Sequence, residues 1–367
     1  MAMISRRAVL GAGLTAGALG AVGNGFWPRL DVYEAVAAEQ RREASAAPAI
    51  VDMIRLAALA ANSHNTQPWR FSANDSQVRI LPDFDRRTEV VDPDDHHLFI
   101  SLGCAAENLA LAAQARGQAA HVALLDHAPH TATPSVMVDL HSTQMLESEL
   151  YRAIPFRQST RSLYDGRAVS NDDVHSLQRA ASEPGVSLSL FTSEADRAAI
   201  TDFVVEGNSS QIDDPAFVAE LRQWLRFSPD RALATGDGLF SACSGNPVLP
   251  EWLGGVMFSA FFTKDAENEK YRNQIASSAG IAVFTGDRAD PDHWVKVGRS
   301  FQRFALRATV LGIRTAHINQ PVEVPSVRPG FANWLGAPDA RPDLVIRFGR
   351  APAMPMALRR PVEAVLI

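Results

Sequence analysis

Leu102, Ala106, Leu109 and Ala113 recur at intervals of four, three and four residues, which places them on one face of a helix. Val297, Phe301, Phe304 and Ala308 repeat the same intervals far downstream. Each run opens on an Asp-Pro-Asp start signal, Asp92-Pro93-Asp94 or Asp290-Pro291-Asp292, and closes on a glycine, Gly117 or Gly312. Gly103 to Gly117 and Gly298 to Gly312 are both fourteen residues apart. A short strand is expected after each helix, over His121–Leu125 and Thr315–Ile318, so that His121 and His317 fall at nearly equivalent places. The pattern also predicts a helix over Val51–Ala61, strands at Val78–Leu81 and Ser135–Leu140, and a buried strand at Leu344–Arg350. This is an internal duplication, in which two like units can bury a face that neither could bury alone. Its halves are expected at residues 47–145 and 150–367. Residues 206–276 break the pattern. A helix from Asp213-Asp214-Pro215 to Phe227 is followed by a Gly-, Pro- and Ser-rich stretch and an apolar cluster, Trp252–Phe262. A long irregular insertion of this kind is expected to act as a lid.

A length of 367 residues fits two core-sized units. The net charge is −6 and no basic run is present, which argues against nucleic acid as a partner. Cys104 and Cys243 are the only cysteines, too few for a disulfide framework or a thiolate zinc site, and are expected as buried thiols. Asp94-Asp95-His96-His97 looks metallophilic, but neighbours on a helix diverge, and the run reads as a helix N-terminus rather than a metal site. No glycine-rich dinucleotide fingerprint follows a strand, and no Gly-x-Ser-x-Gly elbow occurs. Residues 1–40 carry Ser5-Arg6-Arg7 before a weakly apolar stretch, Gly11–Phe26, and resemble a twin-arginine export signal. Ala35-Val36-Ala37 offers a small-x-small cleavage site. Export by this route to the periplasm or cell envelope is the expectation, with weak membrane association through an uncleaved N-terminus left open.

Candidate chemistry sits in three places. Ser63-His64-Asn65-Thr66-Gln67-Pro68-Trp69 sets two carboxamides, Asn65 and Gln67, in a loop suited to a planar ligand with polar edges. Trp69 reads as a core anchor. Arg157-Gln158-Ser159-Thr160-Arg161 aims Arg157, Ser159 and Arg161 one way if the segment is extended, which suits a phosphate. Arg359-Arg360-Pro361 ends the chain on a basic pair. The first motif resembles the flavin loop of the FMN-dependent nitroreductase family, close to Ser-x-x-Asn-x-Gln-Pro-Trp, and the second resembles that family's N-terminal phosphate motif.

The resemblance implies an α+β, nitroreductase-like fold whose tandem halves imitate a dimer around mixed sheets and central helices. It implies FMN as the cofactor, with Asn65 and Gln67 at the ribityl chain or ring edge. Arg157, Ser159 and Arg161 are then expected at the phosphate, with Arg359 or Arg360 closing it. His317, Asn319 and Gln320 are expected along the ring. The second half lacks the carboxamides at Glu183-Pro184-Gly185, and the first half lacks the arginine motif, so one FMN per chain is expected and a monomer suffices. The implied reaction is hydride transfer through the flavin from a donor such as NAD(P)H to a nitroaromatic, quinone or similar planar acceptor. No protein acid or base is demanded. The tandem, lidded architecture resembles the Acg-like branch, which brings in a rival reading, a protein that stores or sequesters FMN with little turnover.

Overall fold

The computed structural model describes residues 30–42, 49–125 and 133–367. The Arg6-Arg7 pair and its apolar run lie outside the described residues. In the first half, helix α1 (Asp31–Glu39) precedes α2 (Ala49–Ala58), then strands β1 (Trp69–Ala73) and β2 (Gln77–Pro82). The long helix α3 (His96–Gln114) leads into β3 (Gln118–Leu125) and β4 (Ser135–Ser142). After α4 (Glu149–Ala153), the second half begins with α5 (Asn171–Ala181), β5 (Val186–Phe191) and α6 (Glu194–Asp213). An insertion follows: α7 (Pro215–Trp224), β6 (Leu225–Arg226), α8 (Pro229–Thr235), β7 (Leu239–Phe240), α9 (Glu251–Phe261) and α10 (Lys264–Ala276). The chain then runs through β8 (Gly280–Gly286), the long α11 (Pro291–Val310), β9 (Arg314–His317), α12 (Gln320–Glu323), α13 (Arg328–Trp334) and β10 (Pro342–Gly349).

The duplication read from the periodicity is visible in the topology. One sheet runs β1-β2-β4-β3 and the other β5-β8-β10-β9, the same order with the same helix crossover before the third strand. The named strands pair antiparallel within both sheets, and a parallel bridge at each outer edge, Phe71 to Leu366 on β1 and Ser159 to Thr315 on β9, adds the mixed character expected. The returning strand, β4 or β10, inserts between the two strands that the helix joins and so runs antiparallel to each. The expected inner faces of α3 and α11 are buried: Leu102, Ala106, Leu109, Val297 and Phe304 are all fully inaccessible. The two helices cross at equivalent glycines. A Cβ built on Gly103 would lie 2.1 Å from the Val295 oxygen, and one on Gly298 would lie 2.0 Å from the Ile100 oxygen. Around this crossing Gln302 donates to Asn108 Oδ1 at 2.8 Å, and Glu107 pairs with Arg299 and Arg303.

The halves differ where β1–β2 is a tight turn and β5–β8 is the insertion. Asn74 Oδ1 accepts from the N–H groups of Ser76 and Gln77 to make the turn. In the second half the matching connection spans residues 192–279, and most of it is helical rather than irregular as expected. Side-chain caps explain several of its helix starts: Asp214 accepts from Ala216 N, Ser228 from Arg231 N and Thr263 from Ala266 N.

Residues 31–41 also depart from expectation. Up to residue 40 the sequence reads as a targeting segment, yet α1 is docked on the folded body, with Tyr33 and Ala37 buried beside Phe240, Cys243 and Leu358. Ala35-Val36-Ala37 lies inside this helix. Both cysteines are free thiols and buried. Among the described residues no helix is long and apolar enough to cross a membrane.

Candidate functional site

The loop between α2 and β1 is strained. His64, Asn65 and Gln67 all hold positive φ, at 45°, 54° and 54°. Non-glycine residues rarely adopt this region and keep it only where surroundings over-determine the conformation. Here the surroundings are hydrogen bonds. Asn65 Nδ2 donates to the Gly238 and Leu358 oxygens at 3.0 and 3.1 Å, and its Oδ1 accepts from Arg359 Nη1 at 2.8 Å. Gln67 Nε2 donates to the Gly236 oxygen at 2.9 Å, while its Oε1 accepts from Arg360 N at 2.8 Å. Arg359 further donates to the Ala58, Leu59 and Ala60 oxygens. Three remote segments, 58–67, 236–238 and 357–360, are thereby knitted together.

This revises the expected ligand set. The hydrogen-bonding atoms of Asn65, Gln67 and Arg359 are engaged with protein, and Arg360 donates to the Ala364 oxygen. None of the four lines the cavity beside the loop. They brace the site, and the loop presents Asn62, Ser63 and His64 to the cavity instead. Replacing Asn65 by Ala removes three buried hydrogen bonds and leaves the Gly238 oxygen without its side-chain donor, while the Leu358 oxygen and Arg359 Nη1 keep the bond to each other; each lost bond and each unpaired group costs free energy. The Asn65→Ala protein is expected to lose about 3 kcal/mol of unfolding free energy, read as a lower urea midpoint at unchanged slope.

The cavity, about 510 Å³, lies between the halves and under the insertion. Of the expected residues, Arg161, His317, Asn319 and Gln320 line it. The Arg161 guanidinium has no hydrogen-bond or ion-pair partner among the described residues, and its electrostatic neighbours are Tyr271, Cys243 and Tyr164. Arg157 is buried and, like Ser159, does not itself line the cavity. One weak bond, Nη2 to the Leu59 oxygen at 3.4 Å, is all its guanidinium makes, and Nε and Nη1 have no partner. Burial pushes its pKa down to about 10, with no carboxylate nearby to oppose the shift. Ser159 is half-buried and forms a parallel bridge to Thr315 at the edge of β9. Asn319 Oδ1 accepts from Val345 N at 2.9 Å, whereas the buried Oε1 of Gln320 has no partner.

Several cavity residues, His64 and Glu323 among them, were not singled out from sequence, whereas His317 was. His64 is held down to about 4 by burial and by Arg161, and His317 to about 3 by burial, Arg161 and His97. Both are neutral hydrogen-bonding groups at neutral pH. Glu323, shifted upward by burial, accepts from Gln211 Nε2 at 2.7 Å, and its other oxygen lies 3.8 Å from His97 Nδ1. Only the position of His64 inside the carboxamide motif could have flagged any of the missed residues. Asp92, His96 and His97 offer ligand atoms within 4.8 Å of one another. The Asp92 oxygens, however, accept from the N–H groups of His97 and Leu98, and His96 Nε2 is 2.6 Å from Asp343 Oδ1. Those contacts are what a helix N-terminus uses.

No protein-family model matches the chain. Among curated proteins it is similar to "Putative NAD(P)H nitroreductase Rv3131" of Mycobacterium tuberculosis, 23% identical over 319 residues, covering 86% of this chain and 90% of that one. It is likewise similar to "Putative NAD(P)H nitroreductase acg" of the same species, 24% identical over 329 residues, covering 86% and 94%. Among solved structures, the FMN-dependent nitroreductase NfnB of Mycobacterium smegmatis, in complex with NADPH, aligns at 13% identity over 59% of this chain and 91% of that one, with a TM-score of 0.37. Over most of its length the chain is thus similar to Mycobacterium tuberculosis proteins that carry the name "Putative NAD(P)H nitroreductase".

Proposed function

We propose that this protein is an FMN-dependent oxidoreductase of nitroreductase type, with one FMN held between its two halves. Reducing equivalents would come from NAD(P)H or another donor and pass to a planar acceptor such as a nitroaromatic or quinone. The observation that carries the reading is Arg157, a buried cation with two orphaned donor nitrogens and no carboxylate to balance it. An uncompensated buried charge is costly. A phosphate, carrying about two negative charges and strong acceptor oxygens, answers both deficits.

The Arg161 guanidinium stands unpartnered at the cavity wall. The cavity volume of about 510 Å³ falls among cofactor sites, which span roughly 300–1,000 Å³. The name of the Mycobacterium tuberculosis relatives favours NAD(P)H as the donor. Bound FMN supplies the two-electron chemistry, while the protein orients it and shields it from water. Gln320 offers a free buried acceptor, and neutral His64 and His317 offer ring nitrogens to polar edges of the ligand. Arg161 places positive charge where negative charge would build on reduction. The two halves would act as a covalently joined dimer with a single surviving site, exported in folded form by the twin-arginine route with its cofactor aboard.

The purified protein is expected to be yellow, and anaerobic NADPH is expected to bleach the flavin band. A colourless protein that takes up no added FMN would defeat the reading. A flavin that dithionite bleaches and excess NADPH does not would leave storage as the function.

A further inference from the structure

The insertion gives the cavity a second character. Its cofactor-facing side is polar, with Arg161, His64, His97, Asn208, Gln211 and Glu323. The wall supplied by residues 217–262 is largely apolar, with Leu221, Leu225, Phe227, Leu249, Phe258 and Phe262, relieved by Ser241, Ser244 and Asn246. Phe258 stacks on Phe262 at 4.5 Å between ring centroids and lies 6.3 Å from Phe227, so three rings of this wall pack together. The same character continues outside. Helix α9 leaves Trp252, Val256 and Phe261 exposed at 65%, 58% and 63%, and Phe261 also lines the cavity. An apolar path therefore runs from the outer surface of the lid to the interior. Exposed apolar patches of this kind mark binding sites.

From this gradient we infer that the electron acceptor is amphipathic: a planar polar headgroup joined to a hydrocarbon tail, with the tail lodged against the Leu221–Phe258 wall. The inference rests on the oxidoreductase reading for the headgroup, but the tail site stands on the apolar wall itself. A phosphate and the pyrimidine edge of a flavin have no use for such a wall, the dimethylbenzene edge would cover only part of it, and a small nitroaromatic would leave the rest facing water. Burying one methylene is worth roughly fourfold in affinity, so a tail reaching the wall should dominate recognition.

The test is binding of a dimethoxymethylbenzoquinone headgroup, bare and carrying a decyl chain, to the oxidised full-length protein by calorimetry. Wild type is expected to bind the tailed compound at least tenfold more tightly. In Leu221→Asn and Phe258→Asn, the ratio between tailed and bare compounds is expected to fall toward unity, with the flavin content measured alongside to show that each variant is folded. Equal affinity for both compounds in wild type, or an undiminished ratio in both variants, would overturn the inference. A protein without flavin that still prefers the tail would sink the oxidoreductase reading and leave the tail site standing.

Discussion

Gly298→Ala is expected to destabilise the protein by about 3 kcal/mol or more, at the upper end of overpacking costs. The added Cβ would lie 2.0 Å from the Ile100 oxygen, 2.9 Å from the Ile100 carbonyl carbon and 3.0 Å from Cys104 N. All three are backbone atoms, so no side chain can swing aside. Relief requires α3 and α11 to separate, and that separation strains the Cys104 Sγ to Gly298 oxygen contact at 3.2 Å and the Gln302–Asn108 bond. Alanine's better helix propensity returns only about 1 kcal/mol. Gly330→Ala is the matched control. Gly330 lies in α13, and a Cβ there would meet only Phe203 Cε1 at 3.6 Å, an ordinary contact. That variant is expected to be neutral or slightly more stable. Urea midpoints that coincide for the two variants would refute the crossing as the keystone between the halves. Because Gly103 and Gly298 are equivalent in the duplication, Gly103→Ala should match Gly298→Ala.

That crossing was legible because its signals are local. The helical interval, the Asp-Pro-Asp starts and the closing glycines all lie within about twenty-five residues of one another, and Gly117 and Gly312 do hold positive φ. The insertion was less legible because its helices do not bury an ordinary apolar stripe. The buried residues of α6 include Asn208 and Gln211, which face the cavity, and those of α10 include Asn268 and Gln274. In α9 only Gly254 and Gly255 are buried. A periodicity search looks for apolar faces, so it passes over helices whose inner faces are polar or glycine.

The site divides the same way. That Asn65 and Gln67 form a special loop was readable from the motif, but their roles were not. Their partners, Gly238, Gly236 and Leu358, lie more than 160 residues away, and nothing near the motif names them. The basic C-terminal pair likewise could not show that Arg359 would be consumed by carbonyl oxygens of residues 58–60. Arg157 and Arg161 are marked in sequence by their period-two spacing with Ser159, and the structure leaves two Arg157 nitrogens without a partner and sets Arg161 in the cavity wall.

Arg157→Met is expected to move two measurements in opposite directions. Without cofactor, the variant exchanges a buried, almost unpartnered guanidinium for an apolar side chain of similar reach. Replacing buried charge in this way is neutral or stabilising by roughly 1–4 kcal/mol. FMN affinity should fall instead. Truncating one partner of a buried, hydrogen-bonded charge pair costs about 2–5 kcal/mol, or roughly thirty-fold to several-thousand-fold in the dissociation constant. The stabilisation that excess FMN confers on unfolding should shrink accordingly, since it scales with the logarithm of ligand concentration over that constant. Riboflavin, which has the ring and ribityl chain but no phosphate, separates the causes. Its affinity should be nearly the same in wild type and variant. If riboflavin and FMN weaken equally, Arg157 acts on the ring or the fold and the phosphate assignment fails. If the cofactor-free variant is markedly less stable than wild type, the guanidinium is a structural cation whose orphaned nitrogens serve the fold. A more stable, flavin-poor protein is the outcome that a phosphate site at Arg157 requires.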